Sequence, residues 1–199
     1  MWGFDTICVD GQEIPSPSER IYLILNKPFG YICALKDPGG RPLITDLLKK
    51  DLPQRVYPVG RLDFDTLGLI LLTNDGDWAH RLTHPRYHVP RTYKVTVEGS
   101  ITDPAIDQLR KGVLLEDGPS GPSKTGLIMR GKRQSIIRMT ITRGKSRQVR
   151  RMVEATGFRV VHLMRTAFGN LQLGDLKIGA YRHLDAEEVR GLKKLVKMT

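Results

Sequence analysis

Asp63 is the carboxylate around which chemistry can be built. It stands in Gly60-Arg61-Leu62-Asp63-Phe64-Asp65-Thr66-Leu67-Gly68, an irregular stretch between two strand-like runs. Beside a guanidinium a carboxylate stays ionised and oriented, as a nucleophile or base must. The competing reading is structural, an aspartate closing an Asx-turn on nearby backbone N–H groups. The second concentration of chemistry is cationic. Arg143, Lys145 and Arg147 crowd the start of a helix expected from Ser146, with Arg150 and Arg151 one turn on. Cations ordinarily avoid that end, where backbone N–H groups already present positive charge. A phosphate docked there would account for them.

Other catalytic templates fail. Gly144-Lys145-Ser146 matches the end of a phosphate-binding loop, but Met139 stands where the first glycine belongs. Gly118-Pro119-Ser120-Gly121 lacks the spacing of a hydrolase nucleophile elbow. His80, His84 and His88 recur every four residues, yet Pro85 breaks that helix and no nearby cysteine or carboxylate completes a metal site. No dinucleotide fingerprint offers an organic cofactor a seat.

The chain of 199 residues suffices for one full domain with a small appendage. A net charge of +11 on a chain that is 40% hydrophobic suits a folded protein with a polyanionic partner, not a disordered one. The excess is localised: residues 118–153 hold ten Lys and Arg and no Asp or Glu, as a nucleic-acid footprint would. No run approaches 18 apolar residues, which excludes a membrane-spanning helix. Met1 to Asp5 lack the charged start and apolar run of a secretion signal, so the chain reads as cytoplasmic. Cys8 and Cys33 are too few for a disulfide framework or a four-cysteine zinc site.

These candidates need elements to position them. Residues 1–19 read as an unpartnered strand remnant (Thr6 to Val9) and a Pro/Ser-rich linker, and 20–199 as one domain. Strands are expected at Ile21–Leu25, Val56–Val59, Leu69–Leu72, Tyr93–Val97, Ile137–Ile141 and Phe158–Met164. Helical spacing falls at Leu43–Leu48, Trp78–Leu82, Asp103–Gly112, Ser146–Thr156 and from Asp185 on, and Glu116–Gly126 reads as loop. Strands outnumber helices without alternating strictly with them, which favours an α+β fold.

The segment Gly60 to Gly76 resembles the signature of RNA pseudouridine synthases, nearest the RsuA/RluB type acting on ribosomal RNA. The likeness continues through Leu25-Asn26-Lys27-Pro28, Arg91-Thr92-Tyr93-Lys94-Val95, Gly144 to Met152, Leu163-Met164-Arg165 and Phe168-Gly169, spanning residues 20–199 in order. It implies a long mixed, mainly antiparallel sheet flanked by helices with a central active-site cleft. The implied reaction is a cofactor-free, metal-free isomerisation of uridine to pseudouridine in ribosomal RNA, with the large subunit favoured. Asp63 matches the essential aspartate, which attacks the ribose or removes a sugar proton as the glycosidic bond breaks. Arg150 matches the basic residue that pairs with it, Tyr93 the tyrosine that stacks on the base, and Leu163 an apolar packing residue. Lys27, Arg61, Arg143, Lys145, Arg147, Arg151 and Arg165 are the expected RNA contacts, with Arg61 filling the space that the flipped uridine vacates. Many members carry a small RNA-binding module before the catalytic domain, and Ile7 to Gln12 resembles only its last strand. The alternatives are a non-catalytic RNA-binding or ribosome-assembly factor, and a synthase acting on tRNA. A monomer is the simpler expectation.

Overall fold

The computed structural model describes residues 8–9, 12–13, 19–48, 52 and 54–198. Its centre is a nine-stranded sheet. The strands are β1 (Tyr22–Lys27), β2 (Tyr57–Pro58), β3 (Leu67–Thr73), β4 (Arg91–Glu98), β5 (Lys124–Arg130), β6 (Gln134–Ile141), β7 (Val160–Phe168), β8 (Leu171–Gln172) and β9 (Tyr181–His183). Their order is β9-β1-β3-β7-β4-β6-β5, with β2 beside β3 and β8 beside β7. Only the β3–β7 pair is parallel, so the sheet is mixed and mainly antiparallel. The helices are α1 (Gly76–Thr83), α2 (Asp103–Lys111), α3 (Gln148–Glu154) and α4 (Ala186–Leu195). This is the α+β architecture that the sequence implied.

The apolar runs explain which strands are central. Leu23 and Leu25 of β1 join one core with Ile70 and Leu72 of β3, whereas Ile24, Leu69 and Leu71 join the other. Both faces of these strands are covered, so they read as continuous apolar runs. Strand β4 buries Tyr93, Val95 and Val97 and exposes Lys94 and Glu98, which gives it clean alternation. Residues of α2 and α3 close the first core, and those of α1 and α4 close the second. Thr102 caps α2 and Asp185 caps α4, each accepting a hydrogen bond from a first-turn N–H.

Three expectations are corrected, and a fourth falls mostly on residues that are not described. Cys8–Val9 is not unpartnered, because it pairs with Gln12–Glu13 across an Asp-Gly dipeptide of the kind that favours tight hairpins. The linker expected over 10–20 lies mostly outside the described residues. The loop expected over 116–126 is partly strand: Gly118–Pro119 pairs with Leu114–Leu115, and Lys124 already belongs to β5. Ser146 does not cap α3. That helix begins at Gln148, behind Arg147 at φ 48°, with no side-chain cap.

Gly68 makes the parallel contact possible. It sits opposite Arg165 at φ +103°, and a Cβ there would run into the Arg165 backbone carbonyl and lie 2.8 Å from its nitrogen. We predict that Gly68→Ala destabilises the fold by about 3 kcal/mol in urea unfolding, from strain and overpacking together.

Candidate active site

One face of the sheet ends in a cavity of about 330 Å³. Its floor follows from strand register. Tyr93 lies opposite Met139 and Arg165, Arg91 opposite Ile141 and Phe168, and Val95 opposite Leu163. Directly opposed residues point to the same face. Tyr93, Arg91, Ile141, Leu163, Arg165 and Phe168 therefore all line the cavity. A bulge in β7 between Arg165 and Ala167 is essential here. The extra residue places Phe168, rather than Ala167, opposite Arg91.

One wall is the loop of residues 60–66, which carries Asp63. Its turn is closed by the Asp63 backbone carbonyl, which accepts from the Thr66 N–H at 3.0 Å. This excludes the Asx-turn reading: the carboxylate is not spent on the backbone. Among the described residues the half-buried Asp63 side chain has no hydrogen bond and no ion pair, and it is the sole acid in the cavity lining. The other wall runs from Gly144 to Val149.

The expected Arg150–Asp63 pair does not form. The Arg150 guanidinium, almost wholly buried, lies 3.1 Å from an Asp65 carboxylate oxygen and also donates to the Asp65 backbone carbonyl at 3.1 Å. Arg147 reaches the other Asp65 oxygen at 3.5 Å. Two residues along a turn, Asp65 faces α3 while Asp63 faces the cavity. Arg150 thereby fixes the loop from behind and does not line the cavity.

Several cations at the helix start are likewise already matched. Asp117 receives Arg151 at 3.0 and 3.1 Å and Lys145 at 3.2 Å. Arg151 chiefly, then Lys145, holds the Asp117 carboxyl below its ordinary range. Carboxylates from elsewhere in the chain thus account for charges that the sequence reading assigned to a docked phosphate. Arg143 is exposed and has no ion-pair partner among the described residues. Arg61, also exposed and without one, lines the cavity.

Two expected RNA contacts are buried instead. Lys27 is fully enclosed, and its Nζ donates to the carbonyls of Pro28 (3.0 Å), Phe64 (3.3 Å) and Thr66 (2.9 Å). It cannot reach a phosphate, because its ammonium is committed to the backbone of the Asp63 loop. Burial lowers its pKa, opposed by the charges of Cys33, Asp65 and Asp63. Arg165 is also buried. Its Nε donates to the Leu69 carbonyl at 2.7 Å, and its Nη2 has no partner. Its place is the cavity floor rather than the outer surface.

Arg91 is the functional candidate that sequence reasoning missed. It is partly buried, lines the cavity and has no ion pair among the described residues. Burial lowers its pKa. Its guanidinium lies 5.5 Å from the Phe168 ring centre, with Arg165 at 5.2 Å from the same ring. The signal was available: Arg91 stands two residues before Tyr93 and so shares its strand face. Of the histidines, His80 and His84 pack edge to face at 5.4 Å. Among the described residues no three His, Cys, Asp or Glu gather as metal ligands.

Residues 21–155 match the family model described as RNA pseudouridylate synthase. This chain belongs to that family. It is 43% identical over 97% of its length to "Ribosomal large subunit pseudouridine synthase B" of Bacillus subtilis (strain 168), covering 79% of that protein. It is 38% identical over 92% of its length to "Ribosomal small subunit pseudouridine synthase A" of Escherichia coli (strain K12), covering 78% of that protein. A crystal structure of a pseudouridylate synthase superposes with a TM-score of 0.81 at 35% identity, covering 90% of this chain and 76% of the other. In this pseudouridine synthase the cavity with five cations and one free carboxylate in its lining is the candidate place for that chemistry.

Two outcomes follow for this site. Asp65→Asn should cost about 2 kcal/mol in urea unfolding, reduced from the full buried-pair value because Asp65 is a third exposed, and should lower turnover by loosening the loop. Arg91→Gln should weaken RNA binding with a salt dependence shallower by about one counterion, read from filter binding across a salt series.

Proposed function

We propose that this protein isomerises a uridine of ribosomal RNA, in the large subunit, to pseudouridine, with Asp63 as the catalytic carboxylate. The reading rests chiefly on one observation: a carboxylate without a partner among the described residues, in a cavity whose other charged lining residues are all cations. Phosphate binding alone has no use for such a group, which would repel the ligand. That argues against a non-catalytic binding factor. The likeness to the ribosomal large-subunit enzyme of B. subtilis supports the substrate and the subunit, against tRNA.

The target uridine must leave its stack for both C1′ and C5 to be reached. Tyr93 then offers its ring to the base, and Leu163 packs beside it. Exposed Arg61 at the cavity edge is positioned to fill the vacated space. Asp63 acts at the ribose, by attack on C1′ or by removal of a sugar proton, as the C1′–N1 bond breaks. The freed uracil turns, C1′ bonds to C5, the C5 hydrogen leaves to solvent and N1 gains a proton. Cations lining the cavity balance the strand's phosphates and set affinity more than sequence choice. A ribosomal RNA substrate supports a cytoplasmic location, and no helix among the described residues is long and apolar enough to cross a membrane.

The test is tritium release from ribosomal RNA labelled at uridine C5. The native chain should release tritium, and Asp63→Asn should lower release about a thousandfold or more while RNA binding stays near the native level. Activity retained in Asp63→Asn would overturn the assignment of Asp63.

A further inference from the structure

We propose that Phe29 and Phe64 form a stacking platform for the unpaired base next to the target uridine in the RNA strand. The inference rests on the function proposed above and extends it to the flanking nucleotide. Phe29 is 61% exposed and Phe64 43%. A single exposed apolar side chain needs no explanation, but two phenyl rings held together on the surface do. Their centroids are 5.6 Å apart at 62°, an edge-to-face contact that leaves ring faces uncovered.

The backbone beneath both rings is fixed. The Gly30 N–H donates to the Phe64 carbonyl at 3.0 Å, and the buried Lys27 ammonium donates to the same oxygen. The rings are therefore preorganised, and little freedom is lost when a ligand settles on them. Their position selects the ligand. Phe64 directly follows Asp63, about 3.8 Å away at Cα; Asp63 lines the cavity and Phe64 does not. A uridine drawn into the cavity brings its neighbour along by one phosphodiester, onto the surface just outside.

Charge points to the same occupant. Arg61, three residues before Phe64 in the same loop, is exposed, lines the cavity and has no ion pair among the described residues, in a chain of net charge +11. Aromatic faces on a loop that also carries a free guanidinium suit a nucleobase on an anionic backbone. Such stacking tolerates any base, because each has a π-face.

The experiment uses the full chain with ribosomal RNA tritiated at uridine C5. Phe29→Ala and Phe64→Ala should each raise KM about tenfold, with a smaller effect on kcat. Phe64→Leu, which keeps bulk but no π-face, should behave like the alanine variant, and Phe64→Tyr should restore the native KM. A Phe64→Trp variant gives a direct reading: added RNA should quench its emission, over the background of the native tryptophans. Unchanged KM in the alanine variants and no quenching, with the native chain active, would overturn the platform and leave the proposed function standing. A native chain that releases no tritium would count against the proposed function, and the quenching measurement would still decide the platform.

Discussion

A single buried ammonium organises the loop on which the chemistry depends. Lys27 closes β1 and directs its three donors at the carbonyls of Pro28, Phe64 and Thr66. Sealing a charge away from water costs several kcal/mol unless hydrogen bonds replace the lost hydration, and here backbone oxygens supply them. The arrangement ties residues 64–66 to the end of a strand buried on both faces. Further stitches follow the same seam: the Leu62 N–H meets Cys33 Sγ at 3.4 Å, and the Gly30 N–H meets the Phe64 carbonyl. Asp63 inherits its direction from this scaffold without any bond to its own carboxylate.

The second organising principle is a division of labour between neighbouring acids. Asp65 and Asp117 engage four cations of the basic stretch, two each. Their pairing fixes the wall of the cavity against the loop. Among the described residues, what remains without an ion pair around the cavity is a smaller set, Arg61, Arg91 and Arg165, in the same lining as one free carboxylate. A net charge far from zero says that a polyanion is welcome; the ion pairs determine where it is welcomed.

Much of this was legible in the sequence. The alternation at Tyr93, Val95 and Val97, the cap at Thr102 and the continuous run at Ile21–Leu25 gave strands and helices close to those observed. Asp63 stood out because its segment was irregular and charged. What stayed hidden depends on partners distant in the chain. A lysine that caps carbonyls 37 and 39 residues away reads, in sequence, like any surface cation. Which of two aspartates takes Arg150 is settled by the turn at residues 63–66, not by spacing. Strand β5 was missed because it lies in a Gly-rich stretch and its ladder with β6 shifts register at Ile136–Ile137.

The bulge in β7 has a consequence of a different kind. A regular ladder running on from Arg165 would set Thr166 opposite Thr92 and Ala167 opposite Arg91; the extra residue hands the place opposite Arg91 to Phe168. In the regular ladder, the ring that both guanidiniums approach would be replaced there by a methyl group, with no residue of the site altered. In this strand, register is itself a coded property of the site.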